Sequence, residues 1–210
     1  MADGLILYTN PMSRGQIARW MVEEVGAPYR TELLEYGGSM QGDAYRAVNP
    51  MMKVPAIRHG NRVVTECAAI CAYLADAFPD ARLAPPNAER ADYYRWLFFG
   101  AGPLEHAVTN KSLGFTPEGR QKMMVGYGDF DRVVDVLDGW LASHHHIAGD
   151  DFSAADVYVG AQVIWGLGFE SLPKRASFES YAARLIEREA YRRAKAIDDA
   201  LIAEARPTGQ

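Results

Sequence analysis

Asn49-Pro50-Met51-Met52-Lys53-Val54-Pro55, followed by Ala56-Ile57-Arg58-His59-Gly60-Asn61-Arg62-Val63-Val64-Thr65 and then Glu66-Cys67, decides how this chain is read. His59-Gly60-Asn61 is a turn signal between two short runs, 54–58 and 62–65, so the stretch predicts a β-hairpin. Pro55 falls at the start of the first run, where a missing N–H is tolerated. After the hairpin, Cys67, Ile70, Cys71, Leu74 and Phe78 recur at helical spacing and predict a helix with one buried face. Upstream, residues 36–49 are polar and glycine-containing and read as loop with some irregular helix, and 29–34 reads as a strand. Before that strand, Ile17, Trp20, Met21 and Val25 mark a helix stopped by Gly26-Ala27-Pro28. Leu5-Ile6-Leu7-Tyr8, ended by Thr9-Asn10-Pro11, reads as a buried strand. The opening third is therefore β-α-β and then β-β-α, and its first two strands are expected to pair in parallel through a right-handed crossover.

Downstream, Pro79, Pro85 and Pro86 punctuate a stretch that reads as a linker. Everything after it has helical periodicity. Tyr93, Leu97, Ala101, Leu104 and Val108 form one stripe, with a bend expected at Gly102-Pro103. Met123, Tyr127, Phe130, Val134, Leu137 and Leu141 form a second stripe. Residues 154–167 are apolar on nearly every side, as a central buried helix requires. Ser153 and Asp156 ahead of that run fit a capping box, whose role is folding rather than chemistry. Residues 178–186 and 191–201 supply the remaining helices.

Composition removes several function classes. Of the 210 residues, 49% are hydrophobic and 23% charged, which excludes a disordered chain. The formal net charge is −5 and no Lys/Arg stripe is present, so nucleic acid is not an expected partner. No apolar run approaches the ~20 residues that span a bilayer, so no membrane segment is expected. Met1-Ala2-Asp3-Gly4 leads straight into the first strand without the basic and long apolar segments of a secretory leader. Two cysteines spaced four apart do not suggest a disulfide scaffold, and a cytoplasmic location is expected. His144-His145-His146 are consecutive and cannot all face one ion, so no metal is expected.

Asn-Pro-x-x-Lys-Val-Pro, a hairpin, and then Glu66-Cys67 opening a helix resembles the glutathione transferase family, and the resemblance extends over almost the whole chain. It implies an α/β plus all-α architecture. A thioredoxin-like domain at 1–79, with β-α-β-β-β-α order and a mixed four-stranded sheet, would be followed by a linker at 80–88 and an all-helical domain at 89–210. It also implies a cis Val54–Pro55 bond, glutathione as co-substrate, a small hydrophobic electrophile, and a homodimer that pairs the helix at 66–78 with the partner's helix at 89–108. Under this resemblance the Val54 main chain pairs with the cysteinyl unit of glutathione, and Glu66 and Cys67 receive its γ-glutamyl end. A carboxylate suits a helix N-terminus with open N–H groups, an ammonium suits Glu66, and a peptide-like middle suits an open strand edge. Cys67 departs from the family's Ser and offers a weaker donor. Taken alone, Glu66 is equally a helix-start acid and Lys53 a solvated charge; the resemblance gives Lys53 the glycyl carboxylate.

The loop Tyr8-Thr9-Asn10-Pro11-Met12-Ser13-Arg14-Gly15 carries the candidate chemistry. A thiol of pKa about 8.5 must be stabilised as its anion to react near neutrality. A hydroxyl hydrogen bond at a helix start supplies such stabilisation, and Ser13 lies where the Ser-type classes of the family place that hydroxyl. Read without the family, Ser13 is a helix cap. Asn10 and Arg14 compete for the activating role. No cysteine stands in this loop, which argues against a thiol-transfer subgroup. The second-substrate pocket is expected from Phe98, Phe99, Leu104, His106 and Phe115, each of which is equally a core residue. The rival reading is a non-catalytic glutathione- or ligand-binding protein of the same fold.

Overall fold

In the computed structural model, which describes residues 4–205, the apolar run Leu5-Ile6-Leu7-Tyr8 together with Thr9 becomes the fully buried strand β1 (Leu5–Thr9). Met1, Ala2 and Asp3 of the expected first domain and the last five residues of the expected helical domain lie outside the described residues. Helix α1 (Gly15–Val25) returns the chain to β2 (Tyr29–Leu33), which pairs in parallel with β1. Strands β3 (Ala56–His59) and β4 (Arg62–Thr65) form the expected hairpin. Because β3 also pairs antiparallel with β1, the sheet is mixed and four-stranded, in the order β2-β1-β3-β4. The short helix α2 (Asp43–Arg46) lies in the stretch expected to be irregular, and α3 (Cys67–Ala77) follows the hairpin. This is the thioredoxin-like arrangement, with β1 and β3 central because both of their edges are paired.

Apolar side chains cover one face of this sheet, where Ile6 and Tyr8 of β1 lie on the same side. Ile6, Tyr8, Leu34, Met40, Tyr45 and Ala56 are buried together, with Val48 and Val54 packed on them. Tyr8 and Tyr45 rings lie 5.7 Å apart. Tyr8 is thus a member of the core.

The chain divides into two compact units, and the division is not the one expected from the sequence. Residues 4–82 and 187–205 form the first unit, and 83–186 the second. The last helix, α10 (Glu189–Ala205), belongs with the thioredoxin-like unit and not with the helical one. Side chains of α10 and of Arg188 just before it explain why. Asp198 accepts a 2.8 Å hydrogen bond from Arg19 Nε of α1, with both side chains at most 2% exposed. Arg188 grips Glu24 through Nε and Nη2, Arg193 reaches Glu23, and Tyr191 meets the Trp20 ring edge-on. Leu83, placed by the sequence in the linker, is buried in the second unit, where its carbonyl accepts from the Ala154 N–H.

In the second unit, α4 (Ala91–Phe99) continues through a π-helical turn (Gly100–Leu104) into α5 (Glu105–Ser112). The expected bend is that turn: Pro103 has no N–H for the α ladder, and a wider turn absorbs the gap. The stripe that begins at Met123 is not one helix. It is cut into α6 (Gln121–Met124) and α7 (Phe130–Leu141) because Gly128 takes φ 74° and Asp129 caps α7, accepting from the Arg132 N–H. Met123 is left exposed as a result. Central helix α8 (Ala154–Gly168) is buried along most of its length, and its start is capped as expected. Both the N–H and the hydroxyl of Ser153 donate to the buried Asp156 carboxylate. Helix α9 (Ala176–Ile186) completes the unit.

Candidate active site

Strand register gathers the sequence-predicted residues of the first unit at one end of the sheet. Tyr8 of β1 and Thr65 of β4 both stand opposite Ala56 of β3. One step beyond that row, Thr9-Asn10 leaves β1, Val54-Pro55 enters β3, and Glu66-Cys67 leaves β4. Helices α1 and α3 therefore both begin there, and the Cys67 thiol lies 3.6 Å from the Arg14 carbonyl, joining the two helix starts by a weak S–H···O contact.

The first loop is held by its own polar groups. Asn10 is buried; its Nδ2 donates to the Leu34 carbonyl at 2.8 Å and its Oδ1 accepts from the Met12 N–H at 2.9 Å. Both ends of the amide are thus spent on the loop, which fits an anchor rather than a group that meets substrate. Ser13 Oγ donates to the Asn10 carbonyl at 2.6 Å and accepts from the Gly15 N–H at 2.9 Å. Arg14, not Ser13, occupies the N-cap position of α1, and its side chain is exposed. Thr9, missed by the sequence reading because it looks like an ordinary strand end, lies directly beneath this turn with a fully buried side chain.

The second segment owes its shape to Tyr45, which the sequence reading did not single out, and to Asn49, the first residue of the motif, to which it gave no role. Tyr45 Oη and Asn49 Nδ2 both donate to the Lys53 carbonyl, at 2.6 and 2.8 Å. Asn49 Oδ1 also accepts from the Met51 N–H, so one amide clamps both sides of the loop. The asparagine-proline pair at 49–50 was the available signal for such a turn. Burial pushes the Tyr45 phenol up to about 12, so it acts as a neutral donor. Val54–Pro55 is cis. The Val54 side chain packs on the sheet core, and its main-chain groups make no hydrogen bond to another backbone group among the described residues. The Lys53 side chain is exposed.

The third segment carries backbone strain. Glu66 sits at φ 64°, ψ 117°, a conformation that costs a non-glycine residue on the order of 1–3 kcal/mol and persists where surroundings enforce it. Glu66 is exposed at the N-cap position, and α3 has no side-chain cap on its first N–H groups. Those groups suit a carboxylate. Cys67 is buried just inside the helix. Cys71 one turn later lies wholly in the core, where burial first, and then nearby Cys67, holds its thiol well above the ordinary range and so unreactive.

The structure does not treat the five second-substrate candidates alike. Phe98 is 73% exposed, and His106 and Phe115 are also exposed. Phe99 leans edge-on against the buried Trp96 ring, and Leu104, 1% exposed, belongs to the core of the helical unit. Of the consecutive histidines, His144 stacks on the Trp140 ring and His146 lies beside Asp156, so their rings serve different neighbours.

Residues 12–77 match the family described as glutathione S-transferase, N-terminal domain. Over 170 residues the chain is 32% identical to glutathione S-transferase GstA of Escherichia coli O157:H7, a match that covers 78% of this chain and 79% of that protein. The chain belongs to the glutathione S-transferase family. A second relative, the disulfide-bond oxidoreductase YghU of Escherichia coli K12, is 31% identical over 169 residues; the match covers 74% of this chain and 58% of that longer protein. Among solved structures, the glutathione transferase of Methylococcus capsulatus aligns with a TM-score of 0.76 at 26% identity over 93% of this chain and 99% of that one. A sphingomonad glutathione S-transferase complexed with glutathione aligns with a TM-score of 0.74 at 24% identity, over 92% and 98% of the two chains. The matched span 12–77 includes Ser13, Val54-Pro55 and Glu66-Cys67 of the converging loops.

Proposed function

We propose that this chain binds glutathione at the converging loops and activates its thiol for attack on a small hydrophobic electrophile. The observation that carries the reading is the strand register, which brings to one end of the sheet the Val54 main chain, without a backbone hydrogen-bond partner among the described residues, the start of α3, which lacks a side-chain cap, and the Ser13 loop. In this reading the γ-glutamyl carboxylate lies on the first N–H groups of α3 beside Cys67, and the ammonium on Glu66. The cysteinyl unit pairs with the Val54 main chain next to Pro55, and the glycyl carboxylate meets Lys53. Ser13 donates to the sulfur and favours thiolate, the thiol proton passing to water. The thiolate then forms a carbon–sulfur bond as the electrophile's leaving group departs with its electron pair. Asn10 anchors the loop, and Arg14 is the alternative activating group, by charge. A cytoplasmic homodimer with a role in detoxification belongs to the same proposal.

The test is glutathione-dependent turnover of a panel of aryl halides, ethers and enals, alongside calorimetric titration with glutathione. Turnover of at least one member with saturable glutathione dependence is expected. Binding without turnover of any member would favour a non-catalytic carrier, and no binding would overturn the reading. The likeness to a disulfide-bond oxidoreductase adds a second reaction, reduction of a small disulfide by two glutathione molecules, so a dialkyl disulfide belongs in the panel.

A further inference from the structure

The Thr9 hydroxyl is fully buried and has no hydrogen-bond partner among the described residues. An unpartnered buried hydroxyl lowers stability, and valine would fill the same volume without that cost. Its position suggests what the hydroxyl is for. A Cβ built on Gly15 would lie 1.9 Å from Thr9 Oγ1 and 3.0 Å from Ser13 Oγ. The missing side chain at Gly15 thus leaves one small space, at the first residue of α1, that both hydroxyls border. Among the described residues, Ser13 Oγ accepts only from the Gly15 N–H and gives its proton to the Asn10 carbonyl. A hydroxyl oxygen has two lone pairs, so one remains for a second donor.

We propose that Thr9 is a positioning residue for thiol activation: when Ser13 turns its proton from the Asn10 carbonyl to the glutathione sulfur, the Thr9 hydroxyl donates to Ser13 Oγ. Ser13 Oγ then accepts from two donors, the Gly15 N–H and the Thr9 O–H. Each polarises the Ser13 O–H bond and strengthens it as a donor to the thiolate. Gly15 is required because any Cβ would occupy the space through which the two hydroxyls meet. The inference rests on the reading of Ser13 as the donor to sulfur.

The experiment compares Thr9→Val, Thr9→Ser and Ser13→Ala with the parent protein. Three quantities are measured: the ultraviolet absorbance of bound thiolate against pH, kcat/KM for an aryl halide, and the calorimetric Kd for glutathione. Thr9→Val is expected to melt no lower than the parent, to keep its Kd, and to lose about threefold to tenfold in kcat/KM. Its thiolate titration should move up by roughly half to one pH unit. Thr9→Ser restores the parent titration because it restores the hydroxyl. A Thr9→Val protein with the parent titration and rate, while Ser13→Ala loses both, overturns the role of Thr9 alone. If neither variant moves the titration, the Ser13 reading itself falls. Should Thr9→Val fold poorly, Thr9→Ala is measured in its place, against the same Thr9→Ser reference.

Discussion

Ser13→Ala is the perturbation that bears most directly on the proposed chemistry, and the structure fixes its expected size. In the free protein the hydroxyl already donates to the Asn10 carbonyl at 2.6 Å, so donation to sulfur replaces one hydrogen bond with another. A bond to a charged acceptor contributes about 1.5–3 kcal/mol and a neutral one about 0.5–1.5 kcal/mol. The net advantage for thiolate is their difference, roughly 1–2 kcal/mol, which corresponds to a fall of about fivefold to thirtyfold in turnover where thiolate formation limits the rate. The same difference raises the pKa of the bound thiol by about one unit, so the pH–rate profile shifts upward. Glutathione affinity below that pKa should stay within about threefold, because the protonated thiol gains little from Ser13. Stability should fall by about 1–2 kcal/mol, since the Gly15 N–H and the Asn10 carbonyl both lose a partner. The assays are steady-state turnover from pH 6 to 10, thiolate absorbance and denaturant unfolding. Full turnover in Ser13→Ala combined with loss in Arg14→Ala would refute the reasoning and pass activation to the guanidinium.

Three further outcomes are expected. Cys67→Ser should tighten glutathione binding about twofold to fivefold in calorimetry, because a hydroxyl donates better than a thiol at the start of α3; an unchanged or weaker Kd would remove Cys67 from the site. Asp198→Asn should lower unfolding free energy by about 3–5 kcal/mol in denaturant titrations by leaving Arg19 buried without its counter-ion, whereas the apolar pair Arg19→Met with Asp198→Leu should recover most of that loss. Asp138 is held below the usual carboxylate range by the Ser177 hydroxyl and then by Arg175, so its contribution is present above about pH 4 and disappears as the pH falls through the lowered value; Asp138→Asn should flatten that acid limb of the stability curve.

Much of the fold was legible because its signals are local. A turn triplet between two short runs, a helix stopped by Gly26-Ala27-Pro28 and a Ser153/Asp156 cap each act within a few residues. The failures came where a periodic pattern says that a face is buried but not against what. Residues 191–201 carry a stripe that suits any helical packing. It is the Arg19–Asp198 pair, 179 residues apart, that places α10 on α1. The stripe from Met123 looked continuous because hydrophobic spacing survives a break; the residues between the two helices, Gly128 in its left-handed turn and Asp129 capping the second, were the stronger signal. The candidate site was legible for the same local reason, through Val54-Pro55 and Glu66-Cys67. The joint role of Tyr45 and Asn49 was not, because their shared acceptor, the Lys53 carbonyl, becomes visible only when the loop is closed.

Ser13 shows why a cap reading and a catalytic reading of one residue need not compete. As a cap it serves through its oxygen, which accepts from the Gly15 N–H at the start of α1. As an activator it would serve through its proton, which now rests on the Asn10 carbonyl. A backbone carbonyl has a second lone pair and stands in a part-buried loop, so it can lose that donor at modest cost. The Gly15 N–H cannot be released as freely, since it is one of the orphan donors of a helix start. The acceptor duty therefore holds the side chain in place while the donor duty is exchanged, and the oxygen moves little as the proton changes partner. An amide at this position could divide its duties only between two atoms set well apart, and a guanidinium has no acceptor with which to hold the helix start. On those grounds the sulfur is proposed to meet the hydroxyl of Ser13 rather than Asn10 or Arg14, because that hydroxyl can stay fixed to the protein through its oxygen while its proton changes partner.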